Sequence, residues 1–382
     1  MAVPFIDLRR LEPGFLEAWA ERSMALSREA RFVGGPDVTA LEERLAALAG
    51  CPAVVACANG TDALQLALRA VGVGPGDIVL VPDATFWATF EAVVNVGARV
   101  VTVDINRHDL QMDLEAFRDA VRRFTPRAAV LVHLYGWGTA ELEAFRAHCR
   151  EISLPLVEDG AQAFGVTWRG ASVYRDAEIA TVSFYPAKVL GACGDAGAVF
   201  CGRSELADTV RLLGNHGRVS HYEHGLVGWN SRMGGLEAAY LDLALDYLED
   251  RLASRRSAAR RYREALGRVG VLAAAPPDGF EENGYLNVTL TEPSRRAVVQ
   301  AALRRHGIGF GTVYPGAMSE QPGAKGHLLA HVGGDTAAWL GRSVLNLPLF
   351  AYLRDEEVDA AVAVVSEAWT GVERDGRGGG GA

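Results

Sequence analysis

Between residues 52 and 201 the chain alternates short apolar runs with stretches of helical period. "PAVVACA" reads as a strand, and "TDALQLALRAVG" behind it spaces its apolar residues as a helix that Gly72 closes. "DIVLVP" is a second strand, followed by "TFWATFEAVVNVG", a helix closed by Gly97. "RVVTVD" and the helical "DLEAFRDAVRRF" repeat the unit, and "AAVLVHL", "LPLVED", "IATVSFY" and "GAVFC" continue the strands. Such runs are continuously apolar, without the polar alternation of a half-solvated strand, so both faces of their sheet are covered. The pattern predicts an α/β fold with a mostly parallel sheet, whose ligands gather at the carboxyl ends of the strands.

Beyond residue 231 the pattern changes. A helical stretch is expected from Arg232 to Leu266, and "APPDG" then breaks the chain. "YLNVTLT", "SRRAVVQAALRRHG" and "IGFGTVYP" predict a smaller α+β unit that "DEEVDAAVAVVSEAW" closes as a last helix. The expected division is an N-terminal arm and helix over 1–30, a large domain over 31–245 and a small C-terminal domain over 246–372. A glycine-rich tail over 373–382 cannot bury apolar area and is expected to be disordered.

Composition narrows the function. The chain has 382 residues, 49% hydrophobic and 22% charged, as in an ordinary globular protein. Its formal charge of −9 and the lack of any long basic block argue against a nucleic-acid partner. No apolar run is long enough for a membrane span, and the start "MAVPFIDLRRLEPGF" lacks a signal-peptide pattern. The five cysteines form no C-x-x-C pair, so neither a disulfide framework nor a metal site is expected, and a reducing cytoplasm is.

One count changes the picture. Of the 38 basic residues only Lys188 and Lys325 are lysine; the rest are arginine. Arginine stays charged, whereas a lysine amine can turn neutral and bond a carbonyl carbon. Lys188 follows the strand "IATVSFY" and opens a glycine-rich loop, a place for imine chemistry or for an ordinary surface lysine. Asn59-Gly60-Thr61 lies between a strand and a helix, where free amides and a hydroxyl suit a phosphate, and where a plain Asn-Gly turn with a cap also occurs. Glu158-Asp159 ends a buried strand; a carboxylate there can hold a pyridine nitrogen protonated or can merely cap a turn. His133, Tyr135 and Trp137 in "HLYGWG" sit at another strand end, placed equally for packing or for substrate contact.

Together these segments resemble the DegT/DnrJ/EryC1/StrS family of sugar aminotransferases that depend on pyridoxal 5'-phosphate (PLP). The likeness runs in order through "VPFIDLRR", "FVGGPDVTALEERLAALAG", "ANGTDALQLAL", "VPDATFWAT", "VEDGAQAFG", "SFYPAKVLGACGDAGAV", "LGNHGR", "GWNSRMGGLEAAYL" and "VLNLPLF". It implies the aspartate-aminotransferase-like PLP fold (fold type I), with a mostly parallel seven-stranded sheet in the large domain. Lys188 would form the imine with PLP, Asp159 would pair with the pyridine nitrogen and Gln162 would bond the phenolic oxygen. Gly60, Thr61 and Ser183 would hold the phosphate, and Phe86 would stack on the ring. Asn230 in "GWNSR" would reach the phosphate of a neighbouring subunit, which makes the active unit a homodimer. Each has an ordinary structural use beside this one: Phe86 in a core, Gln162 and Ser183 on backbone, Asn230 in a turn.

The resemblance further implies L-glutamate as amino donor and a nucleotide-linked keto sugar as acceptor. "GDAGA" and "NSR" look most like members acting on 3-keto-6-deoxyhexoses carried on dTDP in secondary metabolism. Tyr185, Arg218, His221, Tyr222, Arg232 and Tyr314 are the candidate substrate contacts, arginine forks being suited to phosphate. The alternatives are an enzyme acting at C4, a cyclitol aminotransferase, for which an E-G-G segment is usual where "GDAGA" stands, and a non-catalytic PLP-binding sensor. The chain departs from the family pattern at Val189, Cys193, Gly214 and Ser319, the last standing where histidine is frequent.

Overall fold

The computed structural model describes residues 2–376. Its centre is an eight-stranded sheet: β1 (Ala53–Cys57), β2 (Ile78–Pro82), β3 (Arg99–Val103), β4 (Ala128–Val132), β5 (Leu156–Asp159), β6 (Ile179–Ser183), β7 (Gly197–Cys201) and β8 (Leu328–Val332). The spatial order is β1-β7-β6-β5-β4-β2-β3-β8, and only β7 runs against its neighbours. Successive residues of a strand point to opposite faces. Val54 and Ala56 join the core on one face, Val55 and Cys57 the core on the other. Both faces are therefore dry, which is why the strands read as continuous apolar runs.

The first seven strands are those expected from the sequence. The eighth comes from late in the chain and pairs parallel with β3, so the sheet is one strand wider than the resemblance implied. The helical stretch expected over Arg232–Leu266 is two helices, Gly235–Leu245 and Leu248–Gly267. Their break at Asp246–Tyr247 sets the Tyr247 ring 5.9 Å from the Phe15 ring and folds the chain around the N-terminal helix. Short strands Leu272–Ala273, Thr289–Leu290 and Val344–Leu345 form a separate antiparallel sheet. Beside it lies a third core, with Tyr262, Val299, Leu303, Val358 and Val365. The final helix, Asp355–Gly376, takes in 373–376, the first residues assigned to a disordered tail; 377–382 lie outside the described residues. Among the described residues no helix is long and apolar enough to cross a membrane.

Candidate active site

The carboxyl ends of β1, β2, β4, β5 and β6 surround a cleft of about 760 Å³. It is lined by Gly60, Thr61, Phe86, Asp159, Gln162, Ser183, Tyr185, Lys188 and Tyr314, all singled out from the sequence. Asn59, which the sequence reading set beside Gly60 and Thr61, also lines it, as do Thr85 and Tyr285, which were not singled out.

Asp159 and Glu158 sit side by side in β5 and face opposite ways. Asp159 opens to the cleft, where Oδ2 accepts from Thr89 Oγ1 at 2.9 Å and Oδ1 from the Ala161 amide at 3.0 Å. Burial pushes its pKa up, against the pull of these donors, Lys188 and His133. Glu158 points to the other side, where Arg146 Nε at 2.7 Å, Arg146 Nη2 at 2.8 Å and His133 Nε2 at 2.9 Å surround it. Burial alone would raise the Glu158 pKa, but Arg146 and His133 outweigh it and hold it at about 2. Glu158 is thus a structural charge, and Asp159 is the carboxylate free to meet a ligand.

The phosphate-type corner is built by close approach. Asn59 caps the helix Gly60–Ala70, its Oδ1 accepting from the Asp62 amide at 2.8 Å, which leaves the first amides facing the cleft. A Cβ at Gly60 would stand 2.6 Å from Ser183 Cβ. At Gly197 one would stand 2.5 Å from the Asn59 carbonyl carbon. Only glycines let β6, β7 and the helix start converge here. Phe86 precedes the helix Trp87–Asn95 and is 59% exposed, its ring 6.4 Å from the Tyr314 ring. Trp87, by contrast, stacks on Phe90 at 4.8 Å.

Gln162 is held on both ends of its amide: Oε1 accepts from the Tyr135 amide at 2.7 Å, and Nε2 donates to the Tyr314 hydroxyl. Lys188 is half-buried and its Nζ donates to the Tyr285 hydroxyl at 3.3 Å. Tyr285 is in turn fixed by its backbone: its amide donates to Asn283 Oδ1 at 2.9 Å, while Asn283 Nδ2 bonds the Gln162 and Phe164 carbonyls at 2.8 and 2.9 Å. Sequence reading missed Tyr285 because it opens the segment "YLNVTLT", read only as a strand, Asn283 because it lies between the segments that were assigned, and Thr89 because its helix was read only as an element. His133, Tyr135 and Trp137 are fully or almost fully buried and pack; they serve the site through the Glu158 bond and the Tyr135 amide.

Four substrate candidates lie elsewhere. Arg218, His221 and Tyr222 sit on the exposed hairpin Arg218–Ser220/Glu223–His224 and do not line this chain's cleft. Arg232 is exposed too, and its guanidinium donates to Asn230 Oδ1 at 2.7 Å. The exposed Asn230 is likewise outside the cleft of its own chain. Ser319 is tied away from the cleft, its amide and hydroxyl bonding Asp83 at 2.7 and 2.8 Å. Gly214 fits a close approach, since a Cβ there would meet the Ser231 carbonyl oxygen at 2.8 Å. Another cavity, about 700 Å³, opens at the opposite end of the strands, but its arginines are paired: Arg146 with Glu158, Arg150 with Glu143, Arg203 with Glu178. Among the described residues no cluster suited to a metal ion occurs.

A lysine amine, a buried carboxylate and an amide-lined corner in one cleft fit PLP: the glycine cradle leaves space for a phosphate, and Asp159 opens to the cleft where a cationic partner would lie. A model of the DegT/DnrJ/EryC1/StrS aminotransferase family matches residues 17–366. The chain is 34% identical over 369 residues to the UDP-2-acetamido-2-deoxy-3-oxo-D-glucuronate aminotransferase of Pseudomonas aeruginosa, covering 95% of this chain and 99% of that one. It is 35% identical over 372 residues to the dTDP-3-amino-3,4,6-trideoxy-alpha-D-glucose transaminase of Streptomyces venezuelae, covering 96% of each. The crystal structure of S. venezuelae DesV with a ketimine intermediate superposes with a TM-score of 0.89 at 33% identity, covering 96% of this chain and 98% of that one.

Proposed function

Because the chain belongs to the DegT/DnrJ/EryC1/StrS family of PLP-dependent sugar aminotransferases, we propose that it transfers an amino group from L-glutamate to the C3 keto group of a nucleotide-linked deoxysugar. The observation that carries this is the meeting of Lys188, Asp159 and the Gly60–Ser183 cradle in one cleft. C3 is favoured because both relatives described above carry a 3-oxo or 3-amino nucleotide sugar in their names.

PLP, when bound, supplies a carbonyl carbon that captures amines and a ring that accepts the electron pair released at the donor's α-carbon. Lys188 would hold it, Gly60, Thr61 and Ser183 would take its phosphate, and Phe86 would cover its ring. The Asp159 carboxylate, dry and with two donors already in place, would keep a proton on the facing pyridine nitrogen. Gln162 would bond the phenolic oxygen. Lys188 Nζ, once free, would carry the proton from the donor's α-carbon to the cofactor's carbonyl carbon, and in the second half would carry one from that carbon to C3 of the sugar. The Tyr285 hydroxyl gives that amine a resting partner between the two transfers.

The active unit in this reading is a homodimer. Val219, Tyr222, Leu226 and Val227 expose apolar surface beside the hairpin, which a second copy would cover, and Asn230 would then reach the partner's phosphate corner. Arg218, His221, Tyr222 and Arg232 would meet the nucleotide diphosphate from there, with Tyr185 and Tyr314 at the sugar. The cytoplasm suits a chain whose five cysteines are all free. The test is purified PLP-bound protein with L-glutamate and a panel of nucleotide keto sugars. Formation of 2-oxoglutarate and a 3-amino sugar is expected. Turnover of a keto-inositol in preference, or of nothing at all, would overturn the reading in favour of a cyclitol enzyme or a sensor.

A further inference from the structure

Asp83 stands just past β2, three residues before Phe86, and is almost fully buried. A single 3-10 turn, Met318–Glu320, is bonded to it at three atoms. Oδ1 accepts from the Ser319 amide at 2.7 Å, Oδ2 accepts from the Ser319 hydroxyl at 2.8 Å, and the Asp83 carbonyl oxygen accepts from the Met318 amide at 2.7 Å. The Asp83 amide donates to the Val103 carbonyl at 2.8 Å, which fixes the residue to the end of β3. His331 of β8 brings Nδ1 to 3.4 Å from Oδ2 and to 3.0 Å from Thr102 Oγ1. A dry carboxylate is costly unless donors meet it, and here the amide and hydroxyl that do so come from 236 positions along the chain.

Ser319 lies five residues beyond Tyr314, which lines the cleft. Tyr314 has a φ of 65°, in the left-handed region that a bulky residue keeps only where its surroundings hold it. On one side the Val313 amide donates to Asn346 Oδ1 at 2.7 Å. On the other the chain is held by its bonds to Asp83. In this position the Tyr314 hydroxyl accepts from Gln162 Nε2, and the Tyr314 ring lies 6.4 Å from that of Phe86. An amide nitrogen has two hydrogens; with one on Tyr314, the other is left for the cleft.

We propose that Asp83 and Ser319 are positioning residues: they latch the Val313–Glu320 loop to the end of β2, hold Tyr314 in its left-handed conformation, and through its hydroxyl orient the Gln162 amide toward the cofactor's phenolic oxygen. The inference rests on the aminotransferase reading and names what sets one of its cofactor contacts. The latch also joins the two lips of the cleft, since Phe86 follows Asp83 and Tyr314 precedes Ser319.

The experiment compares the wild-type protein with Asp83→Ala, without cofactor and with PLP bound. In hydrogen exchange, the amides of residues 313–320 should exchange at least about tenfold faster in Asp83→Ala, as expected when bonds to a buried carboxylate are lost, while those of β4 and β5 keep their rates. With PLP bound, the pH midpoint of the visible absorption should move in the same direction as in Gln162→Ala, and the double variant should move no further than Gln162→Ala alone. Asp83→Asn, whose amide oxygen can still accept from Ser319, should lie between wild type and Asp83→Ala in both readouts. Unchanged exchange over 313–320, faster exchange spread evenly across the main sheet, or a midpoint that stays put in Asp83→Ala or adds to the Gln162→Ala shift overturns the proposal. If Asp83→Ala fails to fold, Ser319→Ala, which removes only the hydroxyl bond, is judged by the same outcomes. Faster loop exchange and a moved midpoint in a protein that aminates no keto sugar would instead sink the aminotransferase reading and leave the latch standing; failure to take up PLP would sink both.

Discussion

Asp159 and Glu158 are adjacent, similar in chemistry and opposite in role, because strand alternation sends one to the cleft and one to an arginine. The consequence for Asp159 has a sign. Burial raises its folded pKa above the unfolded value of 3.8, so its contribution to stability is present at low pH and lost as pH rises through the folded value. Asp159→Asn should therefore raise the Tm of the cofactor-free protein at neutral pH, read by calorimetry. In the PLP-bound protein the same change should slow transamination by about 10²-fold, the usual loss on removing a group placed to stabilise developing charge. Lys188→Arg should cost more, about 10²–10⁴-fold from proton transfer alone, with the fold unchanged by circular dichroism. Lys188 was legible because lysine is so rare in this chain. Tyr285, Thr89 and Asn283 were not: Asn283 reaches Gln162 across 121 positions, and no local pattern records such a contact.

At the scale of elements, the strands of the main sheet differ in how plainly they announce themselves. β1 to β7 are covered on both faces and read as apolar runs. β8, "LLAHV", sits at the sheet edge with most of its residues only half-buried, and its pattern does not stand out. The break at Asp246–Tyr247 was invisible for a related reason: no proline or glycine marks it, and the turn is set by packing against Phe15. Where the elements meet, the structure makes sharper demands. Gly60→Ala would press its new methyl into Ser183, so about 1–3 kcal/mol of stability should be lost to overpacking. PLP should also be retained less well, by equilibrium dialysis. Beneath β5, Glu158→Gln would strand the Arg146 charge in the core and should cost about 3–5 kcal/mol in a denaturant titration. Because Glu158 is held at about 2, against 4.5 unfolded, its contribution is full above pH 4.5 and is lost as pH falls toward 2. Acid unfolding of Glu158→Gln should accordingly be less steep across that window.

For the whole molecule, one chain brings together only part of the site that its sequence suggested. Lys188, Asp159, Gln162, Gly60, Thr61, Ser183, Phe86, Tyr185 and Tyr314 share a cleft, while Asn230, Arg218, His221, Tyr222 and Arg232 lie outside it. The proposed homodimer, with a site shared between subunits, would account for the second group and is testable by mixing. Asn230→Ala and Lys188→Ala chains should each be impaired alone, and hybrid dimers should regain activity at the one site that has both residues. Hybrids that form without recovery would contradict the shared site. The central claim, that the Lys188 amine carries PLP, is tested most directly by borohydride reduction of the PLP-bound protein followed by peptide mapping. The account predicts a pyridoxyl group on Lys188; finding it on Lys325, or on no residue, would contradict it.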